Sequence, residues 1–487
     1  MKSFLYVFQL ELRALTRDPT LAAVLSIFVC ATGYSLYCGH TWHSELAHSA
    51  EQVDSREQAL RTKRRQILLE RERNHNDSPQ GYYDPSHPGS VGILNGTNVV
   101  LPPSSWARLS VGQTDLWPQS TLVTALNAHS LSDGIDTQSP LQQLAGRFDL
   151  VFVLVVLYPL LMLALSHDLV SRERELGRLT LLLAQPTNTA RLLGARGLAR
   201  GFPLLVAAAL VSALSIVWAQ GGQYPLGSGP KAVWWVLLVI AYGLLWLAVG
   251  VVASSRATRS ATSALGALGC WLVLVVALPA AYDTVIEWWV PLPSRTDHIA
   301  AKRDAIRRAE THADALLSGY LRDHPEFGAA PVAGHDDPAM GFMPRYLAIA
   351  GAVEGEIKPI QQAFDAAREK RQRIAQQLRF VSPALVLQSA LCDLAGTGPS
   401  RHTHFKKARQ AFQSKWRRFF LPLGFSKQRL TSADYEQMPQ FKIPAEQLQN
   451  IIQHTISDFL ALAALLGLVT LLATRLMAGC AGPQGRR

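Results

Sequence analysis

Six long runs without a single Asp, Glu, Lys, Arg or His set the strongest constraint on the fold of this chain. A helix needs about 20 mostly apolar residues to cross the hydrocarbon core of a bilayer. The runs cover residues 21–37, 150–166, 202–219, 233–252, 264–282 and 459–474. We therefore predict six transmembrane helices, which also explains why charged residues make up only 17% of the chain against about 25% in soluble domains.

The positions of Lys and Arg predict how these helices are oriented, because both residues accumulate on the cytosolic side of a membrane. Outside the long segments 38–147 and 283–455, every Lys and Arg except Lys231 lies in the N-terminus, residues 167–201, residues 253–260 or the C-terminal tail. Both termini are therefore predicted in the cytosol, and both long segments outside, in the periplasm of a bacterium. This placement accounts for most of the net charge of +11, so nucleic acid is not predicted as a partner.

The apolar runs and the charge pattern together predict the organisation of the chain. A cytosolic amphipathic helix leads into six spans, two periplasmic domains and a short cytosolic tail. The predicted boundaries are 1–20 for the amphipathic connecting helix, 21–37 for the first span, 38–147 for periplasmic domain 1, 148–166 for the second span, 167–201 for a cytosolic helical region, 202–219, 233–252 and 264–282 for the third to fifth spans, 283–455 for periplasmic domain 2, 456–476 for the sixth span and 477–487 for the tail.

A charged helix is predicted directly after the first span, over residues 45–73. This stretch is dense in Glu, Arg, Gln and Lys, and its apolar residues recur one heptad apart at Leu46, Val53, Leu60 and Ile67. Such spacing is typical of an amphipathic or paired helix. At about 1.5 Å per residue, this helix would project some 40 Å from the span.

The remaining outer sequence also indicates mostly helical domains with irregular insertions. We predict helices over residues 296–321 and 359–379, the second beginning at a proline, and loop with short strands over residues 81–117. Residues 405–420 interleave Lys and Arg with aromatic residues at helical spacing. Such a helix can lie on anionic lipid headgroups, but we favour packing of its aromatic face into its own domain.

The sequence contains no motif that would let this chain hydrolyse ATP or catalyse another reaction by a familiar route. No GxxxxGK[ST] phosphate loop and no GxSxG motif occurs, so any ATPase activity must come from another chain. The six apolar runs also lack the ionisable residues that proton- and ion-coupled transporters use as relays. A secondary transporter is therefore disfavoured, and no catalytic residue is predicted.

Three histidines, His40, His43 and His48, cluster after the first span and form the only metal candidates. Histidine-rich tracts can bind metal, but HSELAH differs from the HExxH of zinc proteases. We favour polar residues at the membrane interface over a metal site. Cys38 and Cys392 are the only cysteines predicted on the oxidising side, and we expect free or buried thiols there, although pairing stays open.

The cytosolic segment 167–201 is the most informative stretch. Glu173 and Glu175 lie in the first turn of a predicted helix, where the helix dipole favours acidic residues, and Pro186 ends the apolar strip that follows. This pattern predicts a helix lying along the membrane before the chain enters the third span. An interfacial amphipathic helix without any partner is the alternative interpretation.

At these residues the chain resembles the ATP-binding-cassette type 2 permeases, the six-span membrane subunits of exporters with separate ATPases. The residues that match their coupling-helix signature are Glu173, Glu175, Gly177, Leu181, Leu182 and Pro186. Residues 1–17 resemble the N-terminal connecting helix of that family. Residues 109–154 and 380–420 resemble a subgroup with large periplasmic domains of unknown function, similar to permeases near copper-enzyme maturation systems. One departure is Arg178, which stands where a Thr often follows the coupling Gly.

The resemblance implies a mainly α fold, with a six-helix transmembrane permease bundle and two large extracytoplasmic, mostly helical domains. It implies a permease subunit of the bacterial inner membrane that forms a dimer with a second copy or a paralogue. Cytosolic ATPase subunits would bind ATP and Mg, so this chain would need no cofactor and would not itself be an enzyme. Membrane lipid and a periplasmic protein are the other expected partners.

Two alternatives to ATP-driven export stay open. A mechanotransmitting permease would move no cargo and would instead act on a periplasmic partner through its long helices. A membrane-anchored sensor or scaffold would work without any ATPase. The sequence identifies neither the substrate nor the composition of the dimer.

Overall fold

A computed structural model of the chain describes residues 2–75, 83–112, 114, 117–126, 148–179, 189–221, 228–291, 294–323, 338–425, 428–443 and 448–480. Within these residues the protein is almost entirely helical, and the strands form one antiparallel pair. The predicted mainly α fold is therefore confirmed.

The α-helices and strands follow one another along the chain as α1 (Lys2–Leu15), α2 (Pro19–Asn74), β1 (Thr97–Val100), β2 (Ser120–Val123), α3 (Leu150–Phe152), α4 (Tyr158–Ser166), α5 (Ser171–Glu175), α6 (Thr189–Ala219), α7 (Ser228–Arg256), α8 (Ser260–Trp271), α9 (Leu278–Trp289), α10 (Arg295–Thr311), α11 (Ala313–Asp323), α12 (Pro338–Leu378), α13 (Pro383–Ala395), α14 (Pro399–Phe425), α15 (Ser432–Gln437) and α16 (Leu448–Cys480). Short 3₁₀-helices cover Ser105–Arg108 and Arg379–Val381, and π-helices cover Ser90–Asn95, Val153–Leu157 and Leu272–Ala277.

Six helical stretches are long and apolar enough to cross a membrane, as the uncharged runs predict. They are Pro19–Asn74, Leu150–Glu175, Leu192–Ala219, Ser228–Arg256, Ser260–Trp289 and Ile451–Met477. Their apolar side chains form the largest core of the protein together with the short helix α13. This arrangement is compatible with a multi-pass membrane protein.

Helix α2 joins two predicted elements into one rod of 56 residues, about 84 Å long at 1.5 Å per residue. Asp18 caps its first turn by accepting hydrogen bonds from the amide and hydroxyl of Thr20, and these bonds hold the pKa of the Asp18 carboxyl below its ordinary value. No proline interrupts the helix after its first residue. The apolar run 21–37 and the charged helix 45–73 are therefore continuous.

The π-helix within the second apolar stretch, Val153–Leu157, accepts hydrogen bonds from two neighbouring side chains. A π-helical turn shifts the usual backbone hydrogen-bond pattern. Tyr242 Oη donates to the Val155 carbonyl at 2.9 Å, and Trp271 Nε1 donates to the Val156 carbonyl at 3.1 Å. These bonds provide partners for carbonyl groups in an environment that has no water.

The two long segments 38–147 and 283–455, which are predicted outside the membrane and which we call the outer segments or outer domain, share one hydrophobic core. The first segment contributes residues of α2 and of the β1–β2 hairpin, and the second contributes the aromatic face of α14. The buried members are Leu68, Val91, Ile93, Val99, Leu101, Val123, Ala125, Leu347, Phe405, Phe412, Trp416, Phe420, Leu430, Tyr435 and Met438. The aromatic face of α14 is buried, as we favoured, but it packs against residues of the first segment as well as its own.

Two predicted helix boundaries in the outer region are wrong. Residues 296–321 form two helices, because α10 ends where His312 leaves the helical conformation at φ −115° and ψ 21°. Pro359 does not begin a helix but lies inside α12, which starts at Pro338. Pro359 is exposed, so water can bind the carbonyl group that the missing N–H leaves free.

Helices α10, α11 and α12 form a smaller unit with its own core. Ala305 and Ala309 of α10 pack against Val353 and Ile357 of α12. These small and β-branched side chains allow the helices to approach closely. The unit extends the outer domain beyond the core that α14 and α2 share.

Because the two outer segments share a core, a substitution that leaves a cavity in this core should destabilise both segments. The buried indole of Trp416 donates to the Gly92 carbonyl at 3.1 Å. The Trp416→Ala variant loses this indole, which should lower the free energy of unfolding of the outer domain by about 3–5 kcal/mol. Limited proteolysis with mass spectrometry should then detect new cleavage in both segments. Lys415→Ala, at an exposed neighbour, is the matched control. Cleavage confined to one segment would contradict a common core.

Candidate coupling site at the α1 end of the bundle

The segment that carries the predicted coupling residues lies where α1 meets the ends of the apolar helices. We call this part of the protein the α1 end. It contains a small apolar cluster formed by Leu169, Val170, Leu179, Leu193, Val251, Ala473 and Met477. These residues come from the turn after α4, from the segment after α5, from α6, from α7 and from α16, so the cluster brings five parts of the chain together.

Glu173 lies on the short helix α5 and points toward α6. One carboxylate oxygen lies 3.5 Å from Arg196 Nη1, and the other lies 3.8 Å from Arg178 Nε. The Glu173 side chain is 19% exposed. It therefore connects α5 to the third apolar helix rather than standing free in solvent.

A chain of ion pairs extends this connection to α1. Glu11 of α1 lies 3.1 Å from Arg200 Nε and 3.7 Å from Arg196 Nε. Arg200 Nη1 also contacts Asp168 at 2.5 Å. All of these side chains are less than a quarter exposed, so water screens their charges less than it screens an ordinary surface pair. Arg196 and Arg200 thus bind α1, the turn before α5 and α6 together.

The other side of α5 contacts the ends of α7 and α8. Glu175 accepts hydrogen bonds from the Ser260 amide at 3.1 Å and the Ser260 hydroxyl at 2.6 Å, at the first residue of α8. Arg174 donates to the carbonyls of Ala257 at 2.5 Å and Ser255 at 3.1 Å, at the end of α7. An acid at a helix N-terminus and a base at a C-terminus both complement the helix dipoles.

Ser254 binds the amide groups at the start of α5. Its hydroxyl oxygen accepts hydrogen bonds from Val170 at 2.8 Å and Ser171 at 3.0 Å. Ser263 of α8 donates to the His167 carbonyl at 2.5 Å. The backbone of α5 is therefore fixed to the fourth and fifth apolar helices as well.

Gly177 ends this segment with a left-handed backbone. Its φ is +70°, a conformation that side chains with a Cβ rarely adopt, and no atom lies within 4 Å of where a Cβ would be. The exposed side chains here are Leu176, 51% exposed, Glu175, and Arg172 and Arg178, which pair with Asp168 and Glu173. The surface is thus an exposed apolar side chain among charges of both signs.

The remaining predicted coupling residues, Leu181, Leu182 and Pro186, lie outside the described residues. Sequence reasoning missed Glu11, Arg174, Arg196, Arg200, Ser254 and Ser260, although all contribute to the site. The one available signal was the spacing of Arg196 and Arg200, which places two cations on one face of a helix.

The three histidines proposed as metal candidates lie in different surroundings. Arg108 Nε donates to His43 Nδ1 at 3.3 Å, and His43 Nε2 lies 3.2 Å from the Ser104 carbonyl oxygen, so both of its ring nitrogens are engaged. His40 packs against Trp218 with ring centroids 5.4 Å apart, and His48 hydrogen-bonds Gln52. Among the described residues, no group of three His, Cys, Asp or Glu side chains could hold a metal ion.

Both cysteines of the outer region are free thiols. Cys392 is buried in α13, with its sulfur 3.4 Å from the Ser110 hydroxyl. Burial raises the pKa of the Cys392 thiol to about 12. This thiol is therefore protonated and unreactive while α13 stays in place.

Residues 295–443 match the model of a domain of unknown function (DUF3526). The match begins at the start of α10, ends six residues after α15 and covers less than half of the chain. No curated protein matches the chain. The site at the α1 end lies outside the matched region, so its role is argued from its geometry.

The ion pairs at the α1 end predict that Glu11 holds α1 against the bundle. In the Glu11→Gln variant, two arginines lose a partly buried partner, at a cost of about 1–2 kcal/mol. Hydrogen exchange of the α1 backbone amides should then accelerate by about tenfold. Arg13→Gln, at an exposed position on the same helix, should leave exchange unchanged. Equal protection of α1 in Glu11→Gln and the unaltered protein would contradict this role.

Proposed function

We propose that this chain is the membrane permease subunit of an ATP-binding-cassette type 2 exporter, coupling ATP hydrolysis by a separate cytosolic subunit to export of a substrate. The observation that supports this function best is the position of α5. It contacts α6 through Glu173, α7 through Arg174 and α8 through Glu175. A push on this one short helix would reach three apolar helices at once.

In this proposal the ATPase contacts the outward surface of α5 and the turn that follows. Leu176 supplies an apolar anchor, and Arg172 and Arg178 supply positive charge for acidic groups on the partner. Glu173 contacts Arg196, and the exposed Glu175 accepts hydrogen bonds from Ser260, so we assign both acids to transmission of movement rather than to docking. The ion pairs of Glu11 would make α1 follow the same movement.

The proposal also assigns the orientation and the partners. The α1 end lies in the cytosol, the outer domain lies in the periplasm, and the chain resides in the inner membrane of a bacterium. ATP and Mg are bound by the ATPase subunits. A second copy or a paralogue completes the permease dimer, and lipid surrounds the apolar helices.

A mechanotransmitting permease is the second candidate, and one observation favours it. Helix α2 runs without interruption from the bundle into the outer domain, where Arg61 donates to the carbonyls of Tyr435 at 2.6 Å and Met438 at 3.0 Å. A rod attached in this way would carry movement of the bundle to the outer domain. The target would then be a periplasmic protein rather than a transported substrate.

Purification of the tagged chain in mild detergent tests the proposal directly. We expect an ATP-binding-cassette subunit to be retained, identified by mass spectrometry, and ATP turnover in the same sample. Purification of the folded chain without such a subunit would contradict both permease functions and favour a membrane-anchored sensor or scaffold. Export of cargo by the reconstituted complex would separate the exporter from the mechanotransmitting permease.

Charge reversal at the two transmitting acids should uncouple the complex. In Glu173→Lys/Glu175→Lys, each new ammonium group would face Arg196 or the positive N-terminal end of α8. We expect the ATPase subunit to be retained while stimulated ATP turnover falls by at least about tenfold, measured in purified complexes. Glu310→Lys, an exposed reversal in the outer domain, is the control. Unchanged turnover in the double variant would exclude the assigned roles of Glu173 and Glu175.

A further inference from the structure

Helix α13 is a short apolar helix that is buried among the membrane helices. Nine of its 13 residues are buried, and only Gln388 is exposed. At about 1.5 Å per residue the helix is some 20 Å long, too short to cross a bilayer. A helix that is apolar on nearly every side belongs to a core, and the side chains of α13 join the core of the apolar bundle.

The neighbours of α13 place it at the end of the bundle opposite to the α1 end. It packs against α3 and the π-helix Val153–Leu157 of the second apolar stretch, the π-helix Leu272–Ala277 of the fifth, and helices α7 and α16. Four of the six apolar stretches therefore converge on it. It also belongs to the part of the chain that matches the domain of unknown function, so that domain reaches into the bundle.

A buried ion pair connects the start of this helix to α16. Arg379, in the turn before α13, contacts Asp458 of α16 with Nη2 and Oδ1 2.7 Å apart. The Arg379 side chain is 11% exposed and the Asp458 side chain is fully buried. Arg379 also donates to the hydroxyls of Ser389 and Ser457, each at 3.4 Å. Removing one partner from such a pair leaves an uncompensated buried charge.

Asp458 is an ionisable residue within the sixth apolar stretch. It directly precedes the uncharged run 459–474 and lies inside both the predicted sixth span, 456–476, and the observed stretch Ile451–Met477. Ionisable residues at such positions are paired and have a functional role by default. The partner of Asp458 comes from the outer domain rather than from another apolar helix.

Two further contacts hold α13 at its two ends. Ser382, its N-cap, donates from Oγ to the Leu274 carbonyl of the π-helix at 2.6 Å. At the other end, Thr397 donates to the Ser110 hydroxyl at 3.3 Å. The Asp149 carboxylate accepts from the Val111 amide at 2.8 Å and caps α3. The second apolar stretch is thus tied to the same outer segment that holds α13.

We infer that α13 is a wedge that closes this end of the bundle and that the Arg379–Asp458 ion pair is its latch. With the pair intact, α13 fills the space between the apolar helices at this end and blocks access to the interior of the bundle from the outer domain. When the pair separates, α13 moves away from the ends of the second, fifth and sixth apolar stretches. This device goes beyond the proposed coupling function, because it acts at the opposite end and does not need an ATPase to be tested.

The reactivity of Cys392 measures whether the wedge is in place. In a full-length chain with Cys30, Cys38, Cys270 and Cys480 replaced by Ser, a maleimide can modify only Cys392. We expect slow modification in membranes because this thiol is buried. The latch variants Arg379→Gln and Asp458→Asn should each raise the rate by at least about tenfold. Unchanged rates in variants that insert at the normal level would overturn the proposal.

Three other variants guard against a general loss of structure. Arg308→Gln breaks an exposed ion pair with Glu356 in the same outer segment and should leave the rate unchanged. Trp416→Ala should loosen the shared outer core without the rise in Cys392 modification; an equal rise there would overturn the latch. Ser382→Ala removes two hydrogen bonds, one donated to the Leu274 carbonyl and one accepted from the Ala384 amide, and should raise the rate about threefold. If the latch variants fail to insert, absence of any rise in Ser382→Ala overturns the proposal.

A second arm separates this device from the proposed function. In the purified complex with its ATPase, trapping the nucleotide-bound state should raise Cys392 modification if coupling drives the wedge. If the latch variants raise the rate of Cys392 modification but nucleotide does not, the wedge proposal is supported and its link to ATP is contradicted. A response to nucleotide in the Arg308→Gln control as well as the unaltered chain would confirm that link.

Discussion

Backbone polar groups within a bilayer have no water to bind, so every carbonyl and amide there must find a partner in the protein. Straight helices meet this demand alone, but the two π-helical turns of this bundle do not. Tyr242, Trp271 and Ser382 donate to carbonyls at these turns. Since Ser382 belongs to the outer domain, that domain completes the bundle rather than resting on it.

Elements governed by local sequence were predictable, whereas elements governed by distant contacts were not. The absence of charge over about 20 residues is a local property, and it located all six apolar helices. The common outer core depends on contacts such as that of Gly92 with Trp416, which lie more than 300 residues apart. No periodicity in either segment identifies the other as its partner. Whether a proline ends a helix also depends on its surroundings, since α12 continues through the exposed Pro359.

The same limit applies to the site at the α1 end. Acids in a first helical turn are a local signal, and Glu173 lies in the first turn of α5 as predicted, but Glu175 is the last residue of that helix. Their partners Arg196 and Ser260 become neighbours only when α6 and α8 pack beside α5. The direction in which the two acids point therefore could not be derived from the sequence. Leu181, Leu182 and Pro186 stay predictions from the family resemblance.

The two ends of the bundle are held by contacts of different physical character. At the α1 end, Arg196 and Arg200 are shared among three acids, Glu11, Asp168 and Glu173, so each arginine keeps one acidic neighbour when another contact is lost. At the opposite end, the Arg379–Asp458 pair lies among apolar side chains, where separation of the charges is costly until water enters. A gradual movement at α5 would therefore accumulate before the buried pair yields. Exchangeable ion pairs at α5 and a buried ion pair at the opposite end would together convert that movement into one abrupt displacement of α13.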